Sequence, residues 1–407
     1  MSDLVRLARE RHVIICAGPG GVGKTTTAAA IALEGARLGR RACVVTIDPA
    51  KRLADALGVE SLTNDAHRVE GWQAAVDRAA GPGAGTAGDP AGHGAGVGLP
   101  RAGGELWALM LDTKSTFDNV VLRNATSEQQ ARAILDNRLY RNISGALGGT
   151  QEYMAMEKLY ELHHEGGFDL VVVDTPPTRH ALDFLDAPAR LLRFLNNRIF
   201  RLLMTPTRAG LRAVNVATQM ILRTISRVVG GAMVADAVAF FEAFEGMEQG
   251  FRDRAARVEA LLGDPATAFV VVAAPRRDAV DEALYFADRL RGSASRVEAL
   301  VVNRMFPSFG PVPAGLDPAT VPAGAEGGAR LVEALAANLR DLDAAAGREE
   351  QYVAMLSRRL PGVPVVRVPF LPDDVHDLAG LAEIDRWLFT PPVAGAAGGG
   401  DSRSHGE

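Results

Sequence analysis

With 407 residues the chain is long enough for two or three average domains, or for one doubly wound α/β unit carrying insertions. An apolar share of 47% supplies a large core, and a formal charge of −5 offers no general attraction to polyanions, so nucleic acid is excluded as an expected partner. Cys16 and Cys43 lie far apart in apolar runs, which suits buried strand positions and neither a disulfide framework nor a C-x-x-C metal clip. The first residues, MSDLVRLARERH, alternate acid and base, and no uncharged apolar stretch approaches the roughly 18 residues of a membrane span. The expected location is cytoplasmic, with transient membrane association left open.

In chain order, Val13 to Ala17 reads as a short strand entering glycines, Thr25 to Leu38 as an Ala-rich helix and Ala42 to Ile47 as a second strand, which together make one βαβ unit. Residues 79–104 are nearly all Gly, Ala and Pro and are expected to form a disordered surface insertion. Leu106 to Leu111 resumes as a strand. Thr126 with Gln129 suggests a capping box for a helix reaching about Asn137, and a second helix follows Thr150, carrying Tyr153, Met154, Met156, Leu159, Tyr160 and Leu162. Leu170 to Val173 is an unbroken apolar run ending in Asp174, the pattern of a parallel strand buried on both faces. Residues 182–262 carry helical patterns throughout and are expected to be a helical subdomain. Strands return at Phe269 to Ala273, Ala299 to Val302 and Val365 to Val368, and a Gly-rich tail, 393–407, is expected to be disordered. Residues 1–392 are thus taken as a single domain.

Residues Gly18 to Thr25 read GPGGVGKT, which satisfies G-x-x-x-x-G-K-[ST] between a predicted strand and a predicted helix. In a loop of this kind the amides around Gly20, Gly21, Val22 and Gly23 form an anion nest, Lys24 reaches the outer phosphates of a nucleotide, and Thr25 ligates Mg²⁺, with Thr26 beside it. Asp174 fits a Walker B carboxylate, and Asp48, ending the second strand, is placed either to orient an attacking water or to cap a helix. The expected class is therefore α/β: a P-loop NTPase with a doubly wound, mostly parallel sheet, helices on both faces and an all-helical insertion. ATP and Mg are the cofactors expected, with Thr25, Asp174 and Asp48 as metal candidates.

Together GPGGVGKTT, TIDPAKRLADALG and DTPPTRHALDFL resemble the ArsA/Get3 family of ATPases. The resemblance implies that Asp48 positions the hydrolytic water, that Asp174 to His180 form a switch reporting the γ phosphate, that Asn303 reads adenine, and that Pro369, Phe370 and Leu371 cover the base. It places Glu152 near a dimer interface, and a homodimer, or a heterodimer with a related ATPase, is the expected assembly. The family's signature lysine is replaced here by Pro19. Arg179 is the candidate to replace its charge as a catalytic residue beside Lys24 and Asp48, and the alternative is a solvent-facing Arg in a Pro-rich turn. The absence of a C-x-x-C clamp and of a cysteine cluster speaks against a zinc-bridged dimer and against arsenite held by thiolates.

In the helical block Val214, Ala217, Ile221, Ile225 and Val228 fall at helical spacing, with Met204, Met220, Met233 and Met247 and the aromatics Phe240, Phe241 and Phe244 on similar faces. The resemblance implies a groove for a hydrophobic client or an integral membrane partner; the other reading is a stripe packed into the core. Arginines 193, 198, 201, 208, 212, 223 and 227 suit an anionic membrane surface or a solvated rim. His163, His164 and Glu165 read as a helix end, and Asp373, Asp374, His376 and Asp377 as the first turn of the last helix. Three functions remain open: an ATP-driven switch acting on a hydrophobic or membrane partner, a slow-turnover ATP-clamped binding module, and an ATPase subunit energising a membrane anion transporter.

Overall fold

The computed structural model describes residues 3–48, 52–80, 103–141, 150–196, 231–291, 295–307, 326–371 and 373–389. Their framework is an eight-stranded sheet. The strands are β1 (Val13–Ala17), β2 (Arg41–Thr46), β3 (His67–Arg68), β4 (Glu105–Met110), β5 (Leu170–Asp174), β6 (Thr267–Ala273), β7 (Val297–Met305) and β8 (Val365–Pro369). They lie in the order β3-β4-β2-β5-β1-β6-β7-β8, and every pairing is parallel except that of β3 with β4.

Burial explains these strands. In β5 the residues Leu170 to Val173 are almost fully buried, and each such side chain contributes about 1.5–3 kcal/mol. That is ample to fix a strand whose last residue, Asp174, is costly to bury. Cys16 belongs to the apolar layer on one face of the sheet, with the helices Asp3–Glu10, Lys24–Arg37 and Leu378–Phe389. Cys43 belongs to the layer on the other face, with the helices Thr150–His164 and Arg277–Arg291. The two thiols are thus strand residues buried on opposite faces, as their apolar surroundings suggested. Burial pushes both above the usual thiol range, Cys43 to about 12.

A third, smaller core joins Val120, Tyr140, Tyr153, Ala187, Leu195, Phe244, Met247 and Phe251. Its helices include Thr178–Leu195, Gly231–Phe244 and Glu248–Leu262. Phe244 and Met247 are buried here, on the core-stripe reading of those positions. The expected groove positions 204, 214–228 and most of the arginine series lie outside the described residues, as do 81–102 of the Gly-rich insertion and the tail.

Three local expectations are corrected. The capping box sits one residue later, with Ser127 as N-cap of the helix Glu128–Leu135: its Oγ accepts from Gln130 N at 3.2 Å while Gln130 Oε1 accepts from Thr126 N at 2.7 Å. Ala79 and Ala80 complete the helix Trp72–Ala80. The last helix begins only at Leu378, and Asp377 caps it by accepting from Gly380 N at 2.8 Å. A carboxylate outside the first turn satisfies a free helix amide better than one within it, so Asp373, Asp374 and His376 precede the helix.

Candidate functional site

The carboxyl ends of β2, β5, β1, β7 and β8 surround one cavity of about 480 Å³, the edge where open α/β sheets bind ligands. From β1 the chain turns through residues 18–23 into the helix Lys24–Arg37. Glycine is required at both ends of that turn. At Gly18 a Cβ would lie 2.0 Å from the Val272 carbonyl oxygen, and at Gly23, where φ is 92°, it would lie 2.2 Å from Asn303 Nδ2. Lys24 Nζ donates to the Pro19 carbonyl at 2.8 Å. Burial lowers the lysine's pKa, a shift opposed by the nearby Asp174 and Asp48.

β5 and β2 are parallel neighbours with Thr46 opposite Asp174. Thr25 Oγ1 and Thr46 Oγ1 both donate to Asp174 Oδ2, at 2.7 and 2.9 Å. Asp174 Oδ1 is buried and has no hydrogen-bond partner among the described residues. Burial raises the pKa of this carboxyl, against the two hydroxyl bonds and Lys24. An unsatisfied carboxylate oxygen beside a threonine hydroxyl is a hard oxygen donor set, and these residues fit Mg²⁺. Thr46 Oγ1 also accepts from Asp48 N at 3.2 Å, and Arg52 lies 3.7 Å from Asp48 Oδ2.

Opposite stands a wall from β7 and β8. Asn303 Nδ2 donates to the Val22 carbonyl at 2.9 Å and Arg304 donates to the Gly21 carbonyl at 3.2 Å. The rings of Phe306 and Phe370 stack with centroids 6.3 Å apart, both half exposed.

Of the residues singled out in the sequence, Gly20, Gly21, Gly23, Lys24, Thr25, Thr26, Asp48, Asp174, Asn303, Pro369 and Phe370 line the cavity, and Val22 is buried beneath the loop. Arg179 occupies the first turn of the helix Thr178–Leu195, and its side chain lies outside the described residues. Arg52, Asp55, Thr175, Arg304, Asp373, Asp374 and His376 also line it, and Thr46 stands behind. For Thr46 a signal existed: a polar residue closing an otherwise apolar strand just before Asp48. For Arg304 there was none, because its orientation depends on an irregular strand end.

The sequence matches the anion-transporting ATPase family over residues 11–73 and 105–310. It belongs to that family of ATPases. Both the glycine turn 18–23 and Asp174 fall inside the matched residues, whereas β8 lies beyond them. Among its relatives, an ATPase GET3 of Malassezia globosa is 27% identical over 182 residues, covering 45% of this chain and 44% of that protein. An arsenical pump-driving ATPase of Aquifex aeolicus is 22% identical over 383 residues, 93% of this chain and 78% of its own length. An uncharacterized protein of Streptomyces coelicolor is 28% identical over 304 residues, 74% and 64%. The chain thus spans under half the length of the GET3 relative it matches.

Proposed function

We propose that this chain binds ATP with Mg²⁺ in the cavity and hydrolyses it, and that the cycle changes how the helical layer holds a partner. The observation that carries the reading is the convergence of Thr25 and Thr46 on one oxygen of Asp174, with the other oxygen unsatisfied, beside a glycine loop ending in Lys24. Magnesium, when bound, would be held through Thr25 and Asp174 and would neutralise phosphate charge. The loop amides and Lys24 hold the phosphates, so binding requires Lys24 to leave the Pro19 carbonyl. Asp48 orients a water whose oxygen bonds to the γ phosphorus as the bond to the β–γ bridging oxygen breaks; the water's proton passes to the released phosphate. The half-exposed Phe370 supplies an aromatic surface for the base.

Coupling to a partner rests on connectivity. The helix Thr178–Leu195 begins four residues after Asp174 and places Ala187 and Leu195 in the third core. A shift at the strand end is therefore passed to the helices expected to meet a hydrophobic or membrane partner, in a pair of such subunits. Cys16 and Cys43 lie on opposite faces of the sheet and cannot jointly hold a soft anion such as arsenite. No described helix is long and apolar enough to cross a membrane. The test is nucleotide binding and turnover by the full chain and Lys24→Ala: the reading expects Mg²⁺-dependent ATP hydrolysis lost in the variant, and equal turnover in both proteins would defeat it.

A further inference from the structure

Arg304 has no role in the steps above, yet its conformation is unusual. Among the described residues it alone, glycines aside, has a left-handed backbone, with φ of 62°. Side chains accept that region only where the surroundings hold them there. The pairing of β7 with β8 is irregular between Val302 and Met305, and an irregularity at the rim of a sheet re-aims side chains. In a regular strand Asn303 and Arg304 would point to opposite faces. Here both reach the phosphate loop, at the Val22 and Gly21 carbonyls, and Arg304 N is tied to Asn303 Oδ1 at 2.9 Å. The two side chains and the turn between them form one brace.

In a trans peptide unit the carbonyl and the following amide point in opposite directions. Holding the Gly21 and Val22 carbonyls toward β7 therefore turns the amides of Val22 and Gly23 the other way. We infer that Arg304 is a positioning residue which, with Asn303, preorganises the loop's amides for a nucleotide's inner phosphates. The inference rests on the nucleotide-binding reading and deepens it. Because such amides cradle phosphates shared by ATP and ADP, losing the brace weakens both nucleotides alike and leaves the chemical step intact.

The experiment is calorimetric titration of the full chain with MgADP and with Mg²⁺ and a non-hydrolysable ATP analogue, alongside steady-state turnover, for Arg304→Ala, Arg304→Gly, Arg304→Lys and Lys24→Ala. Arg304→Ala and Arg304→Gly should bind both nucleotides three- to tenfold more weakly, with kcat within twofold of wild type. Arg304→Lys should recover part of the loss. Glycine accepts the left-handed backbone freely, so normal binding by Arg304→Gly beside weak binding by Arg304→Ala would assign the effect to strain and overturn the inference. Unchanged affinities, a loss confined to the ATP analogue, or a fall in kcat alone would also overturn it. If Lys24→Ala loses binding while the Arg304 variants keep it, only this inference fails; if Lys24→Ala also binds normally, the nucleotide reading itself fails.

Discussion

Replacing Thr46 by Val tests how far the strand-end hydroxyl organises the site. Thr46 is buried, donates to Asp174 Oδ2 at 2.9 Å and accepts from Asp48 N at 3.2 Å. Valine keeps the shape and β-branching that suit β2 but removes both bonds. A hydrogen bond to a carboxylate contributes about 1.5–3 kcal/mol, and the longer bond to the Asp48 amide about 0.5–1.5 kcal/mol. With roughly 1.4 kcal/mol per factor of ten in rate, losing the first bond alone slows turnover about ten- to hundredfold if its strength is expressed in the transition state. The assay is steady-state phosphate release from ATP at saturating Mg²⁺, with urea unfolding of the same protein to separate misplacement from misfolding. Thr46→Ser should regain most of the rate. A folded Thr46→Val turning over within twofold of wild type would refute the reasoning.

Two further perturbations probe the scaffold. Gly18→Ala places a methyl 2.0 Å from the Val272 carbonyl oxygen and should destabilise the chain by about 3 kcal/mol in urea unfolding, the upper end for overpacking; an unchanged midpoint would be the contrary result. His163 lies beside His12 and His164, with ring centroids 5.6 and 4.7 Å away, and its pKa is lowered first by burial and then by those two rings, against the attraction of Asp264. A histidine whose folded pKa lies below its unfolded value near 6.5 favours folding when neutral. Its contribution is fully present above pH 6.5 and is lost as pH falls through the lower folded value. Thermal midpoints should therefore drop below pH 6.5 in wild type and drop less in His163→Gln; parallel curves would contradict the assignment.

Much of the site is legible in sequence because its parts end apolar strands. The runs before Gly18, Asp48 and Asp174 are buried on both faces of a parallel sheet, so continuous Val, Ile and Leu mark them plainly. The predicted strands appear within three residues of their observed limits. What escaped depends on geometry without a local pattern. β3 is two exposed residues held by antiparallel pairing to β4, with too little apolar surface to register. Asp373 and Asp374 look like helix-starting acids until Asp377 is seen to take the cap, which leaves the other two on the cavity wall. Arg304 reaches the loop because β7 loses its register at its end, and alternation would send it elsewhere.

In the proposed mechanism Asp48 serves cleavage of ATP more than its binding. Single-turnover phosphate release by Asp48→Asn measures it most directly, with wild-type protein and MgATP bound at matched occupancy. Asp48 lines the cavity with a partly exposed side chain, and Arg52 lies 3.7 Å from its Oδ2. The prediction is nucleotide affinity within about threefold of wild type and a cleavage rate lowered at least about a hundredfold, the scale of misplacing a reacting group. A variant that binds MgATP and releases phosphate at the wild-type rate would contradict the account.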